Sequence, residues 1–169
     1  MNCLTQWGSV ASLYDTYGSK RGLFLQARDH YVEEFVGRVN KTLESDGSPL
    51  KNVRKAFEQL DAPRNKSFSN GCLIGVTMGQ FRSDEPEIAE AIRKHLQVIE
   101  DAYYRTLKRA LKAGELNPKA NPRDLARMLT ATSQGLTMRR RIDENPAKSR
   151  SIIRATMALL DALGPSPSS

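Results

Sequence analysis

Ser12-Leu13-Tyr14-Asp15-Thr16-Tyr17-Gly18-Ser19-Lys20-Arg21-Gly22-Leu23-Phe24 reads as the end of one helix and the beginning of another. Gly18 is the stop, because glycine enters the left-handed conformation that closes a helix without steric cost. Ser19 starts the next helix, where its hydroxyl can accept one of the first free backbone N–H groups, and Lys20 falls in the first turn. The same punctuation recurs downstream. Ser48-Pro49, Asn121-Pro122 and Asn145-Pro146 each put a capping side chain before a proline at the first helical position. Asp84 and Glu85 before Pro86 open a further helix, and Gly114 and Gly164 fall where helix-ending glycines belong.

Between these signals the apolar period is helical throughout, and no strand pattern stands out. The pattern predicts a short helix over 9–17, a long one over 19–43, then helices over 49–60, 71–81, 86–113, 122–141 and 146–163. A polar loop is expected over 61–70 and a disordered tail over 165–169. The expected fold class is all-α. The clearest stripe is Ile88, Ile92, Leu96, Ile99, Tyr103, Leu107 and Ala110, which share one face of a helix. Glu90, Lys94, Gln97, Asp101, Arg105, Lys108 and Lys112 occupy the other face.

The last two helices carry a different pattern. Ile152, Ile153, Thr156, Met157, Leu159, Leu160 and Leu163 make an arc wider than one core-facing stripe needs. The helix before it sets Ala126, Ala131, Ser133 and Gly135 beside Leu125, Leu129 and Leu136, and small residues let helices approach closely. Another copy of the chain is the economical partner for such an arc. The expected dimerisation residues are Leu125, Leu129, Leu136, Ile152, Ile153, Thr156, Met157 and Leu160. The plainer alternative is that both helices close a monomeric bundle.

Composition narrows the function. The chain has 169 residues, 39% hydrophobic and 27% charged, as expected of a folded chain of one or two small domains. Its 26 basic and 19 acidic side chains give a net charge of +7. Residues 1–100 hold 13 of each sign, so the whole excess lies in 101–169. Arg105, Lys108, Arg109 and Lys112 line one side of a helix and Arg139-Arg140-Arg141 ends another, which reads as solvated helix ends favoured by the dipole. Cys3 and Cys72 are too few for a disulfide framework or a cysteine zinc site. No apolar run approaches the roughly 18 residues of a membrane span, and Met1 to Trp7 lacks the basic-then-apolar order of a signal peptide. A cytoplasmic protein with no membrane partner is expected. His30 and His95 are the only histidines, with His30 placed for a surface ion pair to Glu34. There is no phosphate-cradling glycine loop and no nucleophile elbow. The residues therefore point away from an enzyme, a metal site or a cofactor.

Residues 12–24 strongly resemble the region around the recognition helix of the TetR family of bacterial transcriptional regulators. Leu13, Tyr14, Tyr17, Ser19, Lys20, Leu23 and Phe24 carry the match. Weaker resemblance to the family's regulatory domain runs through Gly71-Cys72-Leu73, Asp84-Glu85-Pro86-Glu87-Ile88 and Ala113-Gly114-Glu115-Leu116. The resemblance implies a helix-turn-helix DNA-binding part over 1–45 and a helical regulatory and dimerisation domain over 46–164. It implies a transcriptional regulator, a ligand-responsive repressor binding operator DNA as a homodimer. Val10, Ala11, Ser12, Tyr14, Thr16 and Lys20 match the positions that touch DNA in the family. Physics agrees: Ser9 to Ser12 are small or polar, so the helix end can approach base edges, and Tyr14 and Lys20 can reach phosphates.

The family also encloses a small-molecule effector among its C-terminal helices. By resemblance the lining candidates are Phe57, Phe68, Cys72, Val76, Met78, Phe81, Ile99, Tyr103, Met128 and Thr132, although aromatics and methionines at this spacing also suit a plain core. Cys72, at the start of a short helix, is open to two readings, a thiol that senses electrophiles or oxidants and an inert buried residue. One departure stands out. Only Met1 to Gly8 precede the motif, where the family carries two further helices, and Trp7-Gly8-Ser9 replaces its usual turn. Without a bracing first helix a short recognition helix is unstable. The expectation is an N-terminally truncated remnant of the DNA-binding domain that binds DNA weakly or not at all. The alternative function is a dimerising, ligand-binding helical protein without autonomous DNA binding, a mixed-dimer modulator or a gene remnant.

Overall fold

Capping chemistry at Ser48, Asn121 and Asn145 starts three helices where the sequence puts them. In the computed structural model, which describes residues 18, 19, 22, 23, 26, 30, 34, 36–61, 75, 77, 78, 86–139, 143 and 145–165, five helices are delimited. They are α1 (Gly37–Glu44), α2 (Pro49–Asp61), α3 (Pro86–Lys112), α4 (Pro122–Arg139) and α5 (Pro146–Ala162). No strand occurs among the described residues, so the fold is all-α. Ser48 Oγ accepts the Lys51 N–H at 3.2 Å, Asn121 Oδ1 the Arg123 N–H at 3.0 Å and Asn145 Oδ1 the Ala147 N–H at 2.9 Å. Each cap satisfies a donor that the first helical turn leaves open.

The helix ends differ in kind. Gly114 has φ +71°, its N–H bonds the Leu111 carbonyl at 3.2 Å, and the Glu115 N–H bonds the Ala110 carbonyl at 2.9 Å. That pair of bonds is the Schellman closure that glycine makes possible. Gly164 ends α5 for another reason. It is not left-handed, but a Cβ there would sit 2.9 Å from the Asp161 carbonyl oxygen, so close approach and not handedness requires the glycine. Asp61, expected to open a loop, is the last residue of α2. Residues 75, 77 and 78 are helical, within the helix expected over 71–81.

α3 is the central element and packs on α1, α2 and α4. α4 packs chiefly on α3, and α5 lies chiefly against α2. The core joins Leu43 of α1, Val53, Phe57 and Leu60 of α2, and Tyr103 and Leu107 of α3 to Leu129 and Leu136 of α4 and Met157 and Leu160 of α5. Burying each side chain of this size removes enough apolar surface from water to stabilise by about 1.5–3 kcal/mol. The predicted α3 stripe is the inward face, and Lys94, Gln97, Arg105, Lys108 and Lys112 point outward. The turn between α3 and α4 is tied to the end of α5, where the Asn117 N–H meets the Leu163 carbonyl at 2.7 Å. No helix among the described residues is long and apolar enough to cross a membrane.

Candidate functional site

The motif turn has the geometry that its residues dictate. Gly18 is left-handed at φ +69°. Ser19 Oγ accepts the Gly22 N–H at 3.0 Å and its carbonyl accepts the Leu23 N–H at 3.0 Å, so Ser19 caps the following helix. Val10, Ala11, Ser12, Tyr14, Thr16 and Lys20, the expected DNA contacts, lie outside the described residues.

The effector candidates divide. Phe57 and Tyr103 come together at the centre of the bundle, ring centroids 6.0 Å apart and tilted by 45°. Both are buried, and burial pushes the Tyr103 phenol far above its ordinary value against a hydrogen bond with Ser133 of α4. The phenol is therefore a neutral hydrogen-bonding group in an apolar core. Ile99 and Met128 are partly buried against the same core. Thr132 is half-buried and turns its hydroxyl onto the Met128 carbonyl at 2.9 Å. Met78 is 48% exposed. Phe68, Cys72, Val76 and Phe81 lie outside the described residues. His95, to which the sequence assigned no role, is buried on α3 with Thr130, Ser133 and Thr137 of α4 also buried. A histidine beside a hydrophobic stripe gives no sequence signal of burial. Away from these residues, an open groove of about 490 Å³ runs past Ser48, Leu50, Lys51, Arg54, Glu115 and Asp161, with Arg54 paired to Asp161 at 3.0 Å.

The expected dimer-face residues divide by burial. Leu129, Leu136, Ile153, Met157 and Leu160 lie in the chain's own core, and Thr156 is buried with its hydroxyl on the Ile152 carbonyl at 2.8 Å. The reason is that the wide arc of α5 splits: one half docks on α2, and the other half faces outward. The outward half holds Leu159, 59% exposed, Leu163, 36% exposed, and exposed Ala155, Ala158 and Ala162. Ile152 and Leu125 are partly buried at the margin. On α4, Ala131 and Gly135 are exposed, and an added Cβ at Gly135 would meet nothing within 4 Å.

Arg105 and Arg109 do more than solvate a helix end. Arg109 donates to the Leu43 carbonyl at 3.3 Å and the Ser45 carbonyl at 2.9 Å, and Thr106 donates to the Leu43 carbonyl at 3.3 Å. Arg105 pairs with Glu44 at 2.8 Å. These donors satisfy the last carbonyls of α1 and fasten its end to α3.

On the far edge of α3, Arg123 lies over the Tyr104 ring at 3.8 Å and pairs with Asp101 at 2.8 Å and Glu100 at 3.1 Å. Hydrogen bonds from Arg123, then Gln97, hold the Asp101 carboxyl below its ordinary 3.8. A carboxyl depressed by folding adds stability above the unfolded value and loses it as pH falls through the lower folded value. Acid unfolding of wild type should therefore show a loss of stability below pH 3.8. Arg123→Gln should flatten that part of the curve, and urea titrations near neutrality and below pH 3.8 check it. Identical acid slopes for the two proteins would refute the assignment. His30 and Glu34 stand 4.0 Å apart on an exposed surface, as the sequence predicts. Among the described residues no group of three or more His, Cys, Asp or Glu could hold a metal ion.

Comparison with known proteins bears on this arrangement. Residues 48–156 match the family described as Tetracyclin repressor-like, C-terminal domain. The Uncharacterized HTH-type transcriptional regulator YezE of Bacillus subtilis (strain 168) is 32% identical over 152 residues, spanning 89% of this chain and 78% of that protein. Among solved structures, a TetR family transcriptional regulator from Cytophaga hutchinsonii superposes with a TM-score of 0.81 at 13% identity, covering 93% of this chain and 79% of that one. A cysteine mutant of the TetR family transcriptional regulator CifR, complexed with 26-base-pair operator DNA, superposes with a TM-score of 0.78 at 18% identity, covering 89% and 79%. The structural likenesses carry the fold; the family match and the Bacillus relative carry membership. The chain belongs to the TetR family of transcriptional regulators.

Proposed function

We propose that the chain is a cytoplasmic, homodimeric repressor that acts by binding and not by catalysis. In this reading residues 1–45 hold the operator-binding part, with Val10, Ala11, Ser12, Tyr14, Thr16 and Lys20 at the DNA. Residues 46–164 form the regulatory and dimerisation domain, whose helical interior responds to a small-molecule effector. The observation that carries the reading is the left-handed Gly18 followed by the Ser19 cap, set in a chain whose regulatory domain matches the family. That turn starts the helix that follows the motif. CifR, with the same fold, is complexed with operator DNA, which supports the same partner here. The homodimer uses the outward faces of α4 and α5, where Leu159 supplies an apolar anchor and Gly135 an opening for close helix approach.

Fluorescence anisotropy with duplex DNA from upstream of the chain's own gene tests the proposal, against a scrambled duplex of equal length. Against the weak or absent binding expected from the sequence alone, this reading predicts a preference of at least about 10³-fold for the cognate duplex at physiological salt, with affinity falling steeply as salt rises. Equal affinity for both duplexes at every salt concentration would overturn it.

A further inference from the structure

α1 lies between the proposed operator-binding motif and the rest of the bundle, and its two ends differ in character. Its C-terminal end is fastened to the bundle. Leu43 is fully buried, and its carbonyl accepts from Thr106 and from Arg109, each at 3.3 Å. The Ser45 carbonyl accepts from Arg109 at 2.9 Å and from Asn52 of α2 at 2.6 Å. Gln59 of α2 donates to Thr42 Oγ1 at 2.9 Å, and Arg105 pairs with Glu44 at 2.8 Å. Both α2 and α3 therefore hold the last turn of α1, through its backbone as well as its side chains.

The chain changes just before α1. Residues 34 and 36 lie in a π-helical turn, whose hydrogen bonds reach one residue further than those of an α-helix. The Val36 backbone runs from it straight into α1 with no side-chain cap. Turns of this kind are where helices bend. Gly37 follows at once. It is exposed, it is not left-handed, and a Cβ there would meet nothing within 4 Å. Neither handedness nor crowding requires a glycine, so what Gly37 brings is backbone freedom, which weakens a helix. Arg38 is also exposed and turns back on the break. Its Nε donates to the Glu34 carbonyl at 2.9 Å, and its guanidinium stands 3.9 Å from the Glu34 carboxylate. In a regular α-helix that carbonyl accepts the N–H of residue 38. Here a long side chain reaches the same atom and can follow it as the turn widens or tightens.

We propose that the turn from Glu34 to Arg38 is a pivot, on which the operator-binding motif reorients while α1 stays fixed to the regulatory domain. The inference rests on the operator-binding reading of the N-terminal residues above, and it moves the mechanical boundary of that part ahead of α1. A swing of α1 as a whole would break the bonds from Thr106, Arg109 and Asn52 and withdraw Leu43 from the core. A turn at Glu34 to Arg38 breaks none of them.

Nuclear magnetic resonance of the full chain without DNA tests it. The N–H residual dipolar couplings of residues 39–44 should fit one alignment tensor with those of α2 and α3, and the couplings of residues 22, 23, 26 and 30 should be scaled down against that tensor. Gly37→Ala should slow hydrogen exchange of the Arg38 and Val39 amides about fivefold, because alanine restores the helix propensity that glycine forfeits. It should leave the Leu43 and Glu44 amides unchanged. Arg109→Gln should do the reverse, speeding exchange at Leu43 and Glu44 about tenfold and leaving Arg38 unchanged. Gly37→Ala adds a methyl group in open space and keeps the test open even if Arg109→Gln misfolds. Full-size couplings at residues 22, 23, 26 and 30 would overturn the pivot, because nothing would then turn. Couplings of residues 39–44 scaled down with them would overturn the anchor. Slowing spread evenly over residues 38–44 in Gly37→Ala would overturn the proposal as well, since α1 would then open as one unit. A chain that fails to select its operator duplex leaves these results untouched and overturns only the operator-binding reading.

Discussion

Leu159→Arg is expected to weaken dimerisation by at least about 100-fold while hardly moving the melting temperature of the protomer. Leu159 is 59% exposed, so within one chain it contributes little that an arginine stem cannot replace. At a two-fold face the same position meets its own counterpart or a close neighbour, and two guanidinium groups would be buried together without a counter-ion. Gly135 provides the matching control on α4. A glycine inside a helix costs about 1 kcal/mol relative to alanine, and here no atom of the protomer requires it. Gly135→Ala should therefore raise protomer stability by up to about 1 kcal/mol. Gly135→Leu should leave the protomer folded and hinder association. If the proposed homodimer reads a symmetric operator with its two copies, both dimer-breaking variants should lose operator affinity in parallel. Sedimentation and anisotropy measured on the same preparations check this. Leu159→Arg that dimerises like wild type would remove α5 from the interface.

Phe57→Ala is the substitution with the largest expected effect on stability, a loss of about 3–5 kcal/mol. Phe57 is fully buried, contacts the Tyr103 ring and lies in the cluster that joins all five helices. Domains of this size have about 5–15 kcal/mol in total, so the variant should be close to unfolding under mild denaturant. Tyr103→Phe is the companion. It keeps the ring and removes the hydroxyl that bonds Ser133, so the expected loss is about 1 kcal/mol. Urea unfolding of the three proteins measures both. The size of the Phe57 effect also separates two roles. A core residue packed on every side gives the full loss. A side chain bordering an effector pocket gives well under that, because one of its faces has no partner atoms to lose.

Helix boundaries were legible because they rest on local chemistry. Ser48, Asn121 and Asn145 cap the helices that their prolines open, Ser19 caps the helix after Gly18, and Gly114 closes α3 in the left-handed conformation. The α3 stripe was legible for the same reason: the helical period puts Ile92, Tyr103 and Leu107 on one face whatever lies opposite. The candidate effector centre was legible only in part. Phe57 and Tyr103 were picked out as aromatics at helical spacing, but their adjacency and the bond to Ser133 depend on where α2, α3 and α4 cross.

The basic run on α3 illustrates the same limit. Arg105 and Arg109 read as solvent-facing charges favoured by the helix dipole, yet they bind Glu44 and the terminal carbonyls of α1, more than sixty residues earlier in the chain. No local pattern announces such a partner. The sequence by itself determined an all-α chain, the helix starts and the family of its motif, because capping, glycine handedness and amphipathic period act within a few residues. Tertiary structure alone decided which half of the α5 arc is core and which is surface. Met157 and Leu160 turn inward and Leu159 outward because α2 can cover only one side of the helix. Hydrophobicity ranks these residues alike; the position of the neighbouring helix separates them.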